Sequence, residues 1–472
     1  MINRSSESVI VLGAGLTGSL ISICFARRGF DVTVFERNAD PRSAPDEIRR
    51  PSINLTLCDR GLSALEETGV MDSIGPLLTP VYGRMVHLSD GSRRYQPYGK
   101  PDQAIQSIKR KDLNIALLDV ADQLGVSLRF GLRCTDIDPE RRLLRLEKDG
   151  NSQFVSFPRL IAADGALSSV RLRLQQLSRL NQSVQYSATR YKALDIPASQ
   201  HEPALEASTI HVWPRGDFMA IAFPNTDGSH SVAFHLPERG ALSFEQLSDA
   251  ASVRDFLLAA FPDVAALLVN REDAFLSQRP SSMQTVRCSP WGHGGQILLL
   301  GDAAHAVLPH YGQGANAGFE DVAMLATLLD RYGADWNMVF AQFEGTRKPD
   351  MEAISDLCCE QAQNLHYEVD KPGFGLRIRI ERRLAELFPQ RLIPLYAMIA
   401  FTRMPYAEVR ARDRCQRRII EDLASRTAIE DMLEDPRFVE GIRPRIERDL
   451  SSTDGAIPCR QRSSKDNRNV SS

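Results

Sequence analysis

The sequence predicts an α/β fold, and three stretches predict it. Each is a short apolar run that ends in a glycine-containing turn and leads into a helix: Ser8–Leu12 into Gly13, Leu160–Ala163 into Asp164-Gly165, and Gln296–Leu300 into Gly301-Asp302. Uninterrupted apolar runs of this length, bounded by turns, are what strands buried on both faces of a parallel sheet look like.

The elements follow in order. Ser8–Leu12 reads as a buried strand entering Gly13-Ala14-Gly15-Leu16-Thr17-Gly18, a G-x-G-x-x-G turn. A helix then runs through about Arg28, Gly29 closes it, and Asp31–Phe35 is a second strand ending at Glu36. Gly13, Gly15 and Gly18 allow the tight turn and the close approach of a pyrophosphate, whose charge sits at the helix N-terminus. Glu36 stands where a carboxylate can bind a ribose 2′-OH. Arg37 follows directly, so the acid alone does not choose between a flavin and a nicotinamide dinucleotide. Further on, Leu160–Arg171 reads as a strand, an Asp164-Gly165 turn and a helix start, with Ser168 and Arg171 able to hold a phosphate or the loop around it. The third stretch, Gly301 to Asp321, has the makings of a cradle for an isoalloxazine ring. Asp302 can accept hydrogen bonds from a polyol, His305 accompanies it, and Pro309 with the Gly312-Gln313-Gly314 turn lets main chain approach a flat ligand. A helix is expected from near Asn316, its free N–H groups suited to developing negative charge.

These pieces imply a discontinuous layout. Residues 1–75, 100–180 and 285–340 form a Rossmann-type FAD-binding domain, interleaved with a β-sheet substrate domain from 76–99 and 181–284. That sheet is expected to roof the ring and to carry Arg84, Tyr98 and Trp213. Residues 341–450 read as C-terminal helices, with Arg377–Arg383 and Arg410–Arg418 as solvated faces, and 451–472 as a disordered tail with little to bury. A chain of 472 residues with 43% apolar and 25% charged content suits a globular enzyme of two or three domains. Its net charge of −3 gives no electrostatic case for nucleic acid or an anionic membrane surface. The eight cysteines form no C-x-x-C pair, and no metal-ligand spacing occurs, so no metal is expected. The longest apolar stretch, Leu392–Phe401, is half of the roughly twenty residues a spanning helix needs. With no leader pattern at the N-terminus, a cytoplasmic location without a transmembrane anchor is expected.

The three glycine-bearing stretches, in this order, resemble the single-component flavoprotein hydroxylases, the family of para-hydroxybenzoate hydroxylase. The resemblance implies one FAD, NADPH as co-substrate without a domain of its own, and O2. Further segments resemble the kynurenine 3-monooxygenases: Ser52-Ile53-Asn54-Leu55 with Arg60-Gly61, Gly83–His87, Pro97-Tyr98-Gly99, Ser107–Asn114, His211-Val212-Trp213-Pro214-Arg215 with Pro224-Asn225, Ala353–Leu357, and Ile393–Phe401 through Pro405-Tyr406. The resemblance runs from about Ser8 to Arg417. It implies that Arg84, Tyr98 and Tyr406 bind the carboxylate of a small aromatic amino acid, and that Thr17, Glu36, Arg37, Arg110, Cys134, Asp302, Ala315 and Asn316 contact FAD, Cys134 through its backbone. Read without it, Arg84 is equally a surface ion-pair partner, and either tyrosine an ordinary half-buried packing residue. The activity implied is hydroxylation of L-kynurenine to 3-hydroxykynurenine through a flavin C4a-hydroperoxide. Water must be kept from the ring site, and the aniline nitrogen of the substrate activates the ring without a protein base.

Two departures from the family pattern concern the substrate. His310 and Tyr311 stand where the family usually carries two phenylalanines beside the substrate ring, and Gln361 stands where it carries a substrate-binding asparagine. A three-residue slip would use Asn364 instead. His310 is either a satisfied core histidine or a partner for a substrate hydroxyl or carbonyl. These changes keep a second activity in view, a tailoring hydroxylase for a substituted kynurenine or another aryl amino acid. Flavin-dependent halogenation fits poorly, because no Trp-x-Trp-x-Ile-Pro segment occurs. A non-catalytic relative of the GDP-dissociation-inhibitor kind is disfavoured by Asp302 and the Gly312–Gly314 turn.

Overall fold

The computed structural model describes residues 7–43, 53–198, 205–367 and 374–451. The tail expected from 451 therefore lies, past Ser451, outside the described residues. Contacts divide the chain into two units, Met1–His366 with Ala400–Arg403, and Tyr367–Ile399 with Met404–Ser472.

The first unit is built on two large sheets. In the six-stranded sheet the spatial order is Gly292–His293, Ile297–Leu299, Leu160–Ala162, Ser8–Leu12, Asp31–Glu36, Ser127–Phe130. All neighbours are parallel except the first pair, a short hairpin. The apolar runs seen in the sequence become these strands because both faces are covered, and Val9, Val11, Ile161, Leu298 and Leu299 have almost no exposed surface. Three glycine-bearing turns thus leave the same sheet edge, at the carboxyl ends of adjacent strands, where α/β sheets bind ligands.

The second sheet has seven strands, in the order Ser281–Ser289, Asn181–Ile196, His230–Pro237, Phe218–Pro224, Thr209–Arg215, Gly83–His87, Arg93–Pro97. Side chains alternate across it. Leu194, Trp213, Ala220, Ala222, Val232, Phe234 and Leu236 point to one face and form a core with Val253, Phe256, Phe261, Val264 and Phe275 from three short helices between Ala250 and Ser277. Arg84 and its row neighbours take the other face. A three-stranded sheet of Asn54–Leu57, Ile105–Lys109 and Thr79–Val81, and a meander of three strands over 133–156, complete the unit.

Several boundaries differ from the sequence expectation. The strand Ser281–Ser289 crosses the expected boundary at 285 because it pairs along Asn181–Tyr191 in the seven-stranded sheet. Thr79–Val81 pairs with Ile105–Lys109 and not with the strands that follow it. The boundary at 340 falls inside one long helix, Trp336–Tyr367, which carries Pro349 within it. The first helix ends at Ala26, two residues before Arg28, and Gly29 follows at φ +81°.

In the second unit, Ile380, Leu384, Phe388, Ile419, Leu423, Leu433 and Ile446 share a helical core. Of the two arginine-rich runs there, the first reaches outward, Arg379 and Arg383 meeting exposed Glu430 and Glu434, whereas in the second Arg412 is largely covered beside Glu408.

Candidate functional site

The three turns build one cradle. Gly13 takes φ +97°, and a Cβ there would stand 2.4 Å from the Ala163 carbonyl oxygen, so the first turn packs directly on the Asp164 turn. Gly18 fails for a different reason, since its Cβ would fall 1.9 Å from the Gly13 carbonyl oxygen. Gly15 has nothing within 4 Å of its missing Cβ. It is the N-cap of the Leu16–Ala26 helix, without a side-chain cap or an acid in the first turn, so the helix N–H groups face open space. The Glu36 carboxylate accepts from Ala14 N–H at 2.9 Å and from Asn38 N–H at 2.8 Å, which fixes it beside that space. Thr17 sits between Gly301 and Gly318, where added Cβ atoms would meet its Oγ1 at 2.9 and 2.5 Å. It therefore joins the first turn to the third.

Asp164 supplies an open valence. One carboxylate oxygen accepts from Ser169 N–H at 2.8 Å, while Oδ1 is buried with no hydrogen-bond partner among the described residues. Burial raises its pKa above the ordinary carboxylate range. A polyol or sugar hydroxyl is the missing donor in kind. This orphaned oxygen, the open Gly15 shelf and the uncapped helix end together fit a flavin dinucleotide. Of the two roles open to Ser168 and Arg171, the structure shows the loop role. Ser168 caps its own helix, accepting from Arg171 N–H at 3.0 Å, and the buried Arg171 guanidinium donates to Ala303 and Ala166 carbonyls at 2.7 and 2.5 Å. It clamps the second turn to the third.

In the third turn, Gly301 takes φ +59° and Gly312 φ +66°, and the long helix starts at Gln313, three residues before the expected Asn316. The left-handed Gly312 supplies the N-cap position, so the helix begins directly after it. Asp302 is exposed at the start of the Asp302–His305 turn, and Gly314 has open space over it. The Asn316 side chain is already saturated, accepting from Cys58 N–H at 2.9 Å and donating to the Thr56 and Gly312 carbonyls, each at 2.8 Å. Only backbone is left at Ala315 and Asn316 to meet a ligand. Arg37 and Arg110 are exposed, Arg110 at the start of its helix. Burial, then the nearby Asp164 carboxylate, pushes the Cys134 thiol up to about 12, which leaves it inert as a nucleophile.

Beneath this turn lies a charged network the sequence reading missed. Buried Asp321 takes His305 Nε2 at 2.6 Å and Arg347 Nε at 2.8 Å, and Arg347 also reaches Glu320 at 2.7 Å, which Arg60 meets at 2.9 Å. Burial works to raise the Asp321 pKa, but His305 and Arg347 outweigh it and hold the carboxylate below its usual range.

Among the residues expected at the substrate, exposed Arg84 donates from Nε to Gln96 Oε1 at 2.7 Å. Tyr98 is half-buried beside it. Burial pushes its hydroxyl up to about 12, partly offset by the Arg84 charge, so it stays a donor at neutral pH. Pro309, His310 and Tyr311 form a single helical turn, and the Tyr311 hydroxyl donates to Gln361 Oε1 at 3.2 Å. Gln361 is thereby tied to this turn; the side chain of Asn364 lies outside the described residues. Tyr406 opens the helix Tyr406–Ala424 of the second unit and is fully buried. Trp213 does not face the ring site. It lies in the core on the opposite face of the sheet, with Nε1 donating to Asp263 at 2.6 Å, and His211 and Arg215 of the same motif stand on that side too. Their odd numbers share the parity of the core row, which a motif reading ignores.

His235 is the polar residue the sequence reading passed over. It stands on the Arg84 face, its ring 5.6 Å from Tyr191. Burial, and then His310, push it down to about 4.

The family described as an FAD binding domain matches residues 6–334. The kynurenine 3-monooxygenase of Christiangramia forsetii is 35% identical over 442 residues, covering 93% of this chain and 98% of that one. That of Myxococcus xanthus is 38% identical over 411 residues, 86% and 88% of the two chains. The chain belongs to the kynurenine 3-monooxygenase family. Like that family it is an FAD-dependent aromatic hydroxylase. Solved structures show the same fold at low identity: 2-methyl-3-hydroxypyridine-5-carboxylic acid oxygenase superposes with a TM-score of 0.64 at 19% identity, over 78% of this chain and 95% of that one. CtdE, solved with FAD and a substrate, gives 0.63 at 16%, over 89% and 100%. Among the described residues, no helix is long and apolar enough to cross a membrane.

Proposed function

We propose that the chain hydroxylates L-kynurenine to 3-hydroxykynurenine, consuming NADPH and O2 and releasing NADP+ and water. The observation that carries this reading is the 34–38% identity to kynurenine 3-monooxygenases along most of the chain, supported by Tyr98 lying near enough to Arg84 to feel its charge. FAD, when bound, would supply the redox chemistry of hydride acceptance and oxygen transfer.

The chain's own residues bind and orient. Arg84 offers a charge and Tyr98 a neutral O–H, the pair that a carboxylate needs. Glu36 binds the ribose of the cofactor, the open shelf at Gly15 takes the pyrophosphate, and Asp302 takes the polyol. The turn from Pro309 to Gly314 carries no long side chain at Gly312 and Gly314, so its backbone can close on the ring and exclude water. Tyr311 and Gln361 border the substrate ring. Their polarity favours a second reading, a kynurenine bearing a further ring substituent.

The test is NADPH oxidation by the purified yellow protein, with and without L-kynurenine, together with product mass. Stimulation with a product one oxygen heavier supports the reading. Flavin reduction that ends in hydrogen peroxide, with kynurenine unchanged, overturns L-kynurenine as substrate.

A further inference from the structure

The His211-Val212-Trp213-Pro214-Arg215 motif lies on the face of the seven-stranded sheet opposite Arg84, and the hydroxylation proposed above does not use it. Its last two residues line a cleft of about 520 Å³. The cleft lies between the hairpin joining Thr209–Arg215 to Phe218–Pro224 and the end of the helix Ala250–Ala260. Small-molecule sites occupy roughly 300–1,000 Å³. Phe218, Leu242, Phe256 and Ala260 make the walls largely apolar, and Arg215 is the one charged group among the lining residues. Backbone carbonyls pin that guanidinium. Nε donates to Ala260 at 2.8 Å, and Nη1 to His87 and Pro214 at 2.9 and 2.8 Å. Three of its five N–H groups are thereby used, and the two on Nη2 have no partner among the described residues. Carbonyls orient a cation without neutralising it. Asp263, whose charge reaches Arg215, forms no ion pair with it; its carboxylate is taken by Trp213 Nε1 at 2.6 Å and faces His87 Nδ1 at 3.4 Å.

We propose that this cleft is a second small-molecule site, which takes a carboxylate carried on a single aromatic ring. The carboxylate accepts from Nη2 of Arg215, and the ring lies against Phe218, Phe256 and Leu242. A fixed donor loses little freedom on binding, so the charged contact is worth about tenfold to a hundredfold in affinity over a neutral group of the same shape. The site stands whichever aromatic compound the flavin hydroxylates, because it shares no residue with the cradle and lies on the other side of the sheet from Arg84.

The probes are phenylacetate and its neutral counterpart phenylacetamide, titrated into the flavin-loaded protein and followed by saturation-transfer NMR of the ligand. The background is Arg84→Ala, which silences carboxylate binding at the substrate end. Phenylacetate is expected to bind at least tenfold more tightly than the amide. Arg215→Gln is expected to abolish that preference with the flavin spectrum unchanged. Ala259→Phe, which fills the cleft from an exposed position on its wall, is expected to exclude both compounds. Equal affinity for acid and amide, a preference that survives Arg215→Gln, or no binding of either compound would overturn the site. Should Arg215→Gln fail to fold because its three carbonyl contacts are lost, Ala259→Phe decides alone: phenylacetate that still binds there sits elsewhere, and the proposal falls.

Discussion

Gly15 and Gly18, three residues apart in the first turn, show what single residues do in the cradle. Gly18→Ala places a methyl 1.9 Å from the Gly13 carbonyl oxygen, a clash with backbone that cannot swing away. It is expected to cost about 1–3 kcal/mol of stability and most of the bound flavin, read by denaturant midpoint and by the absorbance of the purified protein. Gly15→Ala meets no protein atom within 4 Å. It should leave the midpoint of the flavin-free protein unchanged and weaken flavin binding alone, because the methyl occupies the ligand's space. A destabilised flavin-free Gly15→Ala would remove Gly15 from the cradle. At the other end of the site, Arg84→Ala should raise KM for the amino-acid substrate about tenfold to a hundredfold, the worth of a charged hydrogen bond, with flavin retained. An unchanged KM excludes Arg84. Gly13, Gly15, Gly18 and Glu36 were legible in the sequence because turn, helix and strand there are contiguous. The face taken by Arg84 and His235 was not, since that depends on which side of a seven-stranded sheet is covered, and helices between Ala250 and Ser277 decide it.

The elements are coupled by buried charge. The helix Gln313–Tyr332 carries Glu320 and Asp321, and Arg347 from the helix Trp336–Tyr367 ties both down. Arg347 is fully enclosed, so the pair is shielded from solvent and its loss strands two carboxylates. Arg347→Met is expected to cost about 3–5 kcal/mol, measured as a shift in urea midpoint, and to loosen the turn at Gly301, whose N–H also rests on Asp321 at 3.3 Å. A variant with wild-type midpoint would show that His305 and Arg60 suffice. The glycine turn and the helix after it could be read locally. Arg347 could not, because its partner is 26 residues away on another helix and no short-range pattern marks it. The start of the helix was placed three residues late for a related reason: Gly312 reads as a flexible turn residue, whereas in the fold its left-handed backbone is the cap itself.

At the scale of the whole first unit, burial on the far face of the seven-stranded sheet makes stability depend on pH. His211 has no exposed surface, touches His87 at 3.0 Å, and is pushed down to about 4 by burial, against the pull of Glu206. Its folded pKa thus lies below its unfolded value of about 6.5. Between these values the unfolded chain binds the extra proton, so stability falls as pH drops through the window and is fully kept above it. His211 alone should cost on the order of 2 kcal/mol at pH 5 relative to pH 7, visible as a lower urea midpoint, and His211→Gln should shrink the difference. A midpoint that does not move between these pH values would contradict the buried neutral pair. The parallel layer was legible here from its apolar runs, while the domain edges near 285 and 340 were not, because strand pairing and one continuous helix override composition there. The alternation of that same sheet has a consequence for how such an enzyme can diversify. Met219, Ile221, Ala233 and His235 share the face of Arg84, and their immediate neighbours Ala220, Ala222, Phe234 and Leu236 hold the core. Selection for a new substrate and selection for a folded protein therefore act on interleaved codons that barely constrain each other, and a combinatorial library confined to the first set should return folded, flavin-loaded clones with altered appetites.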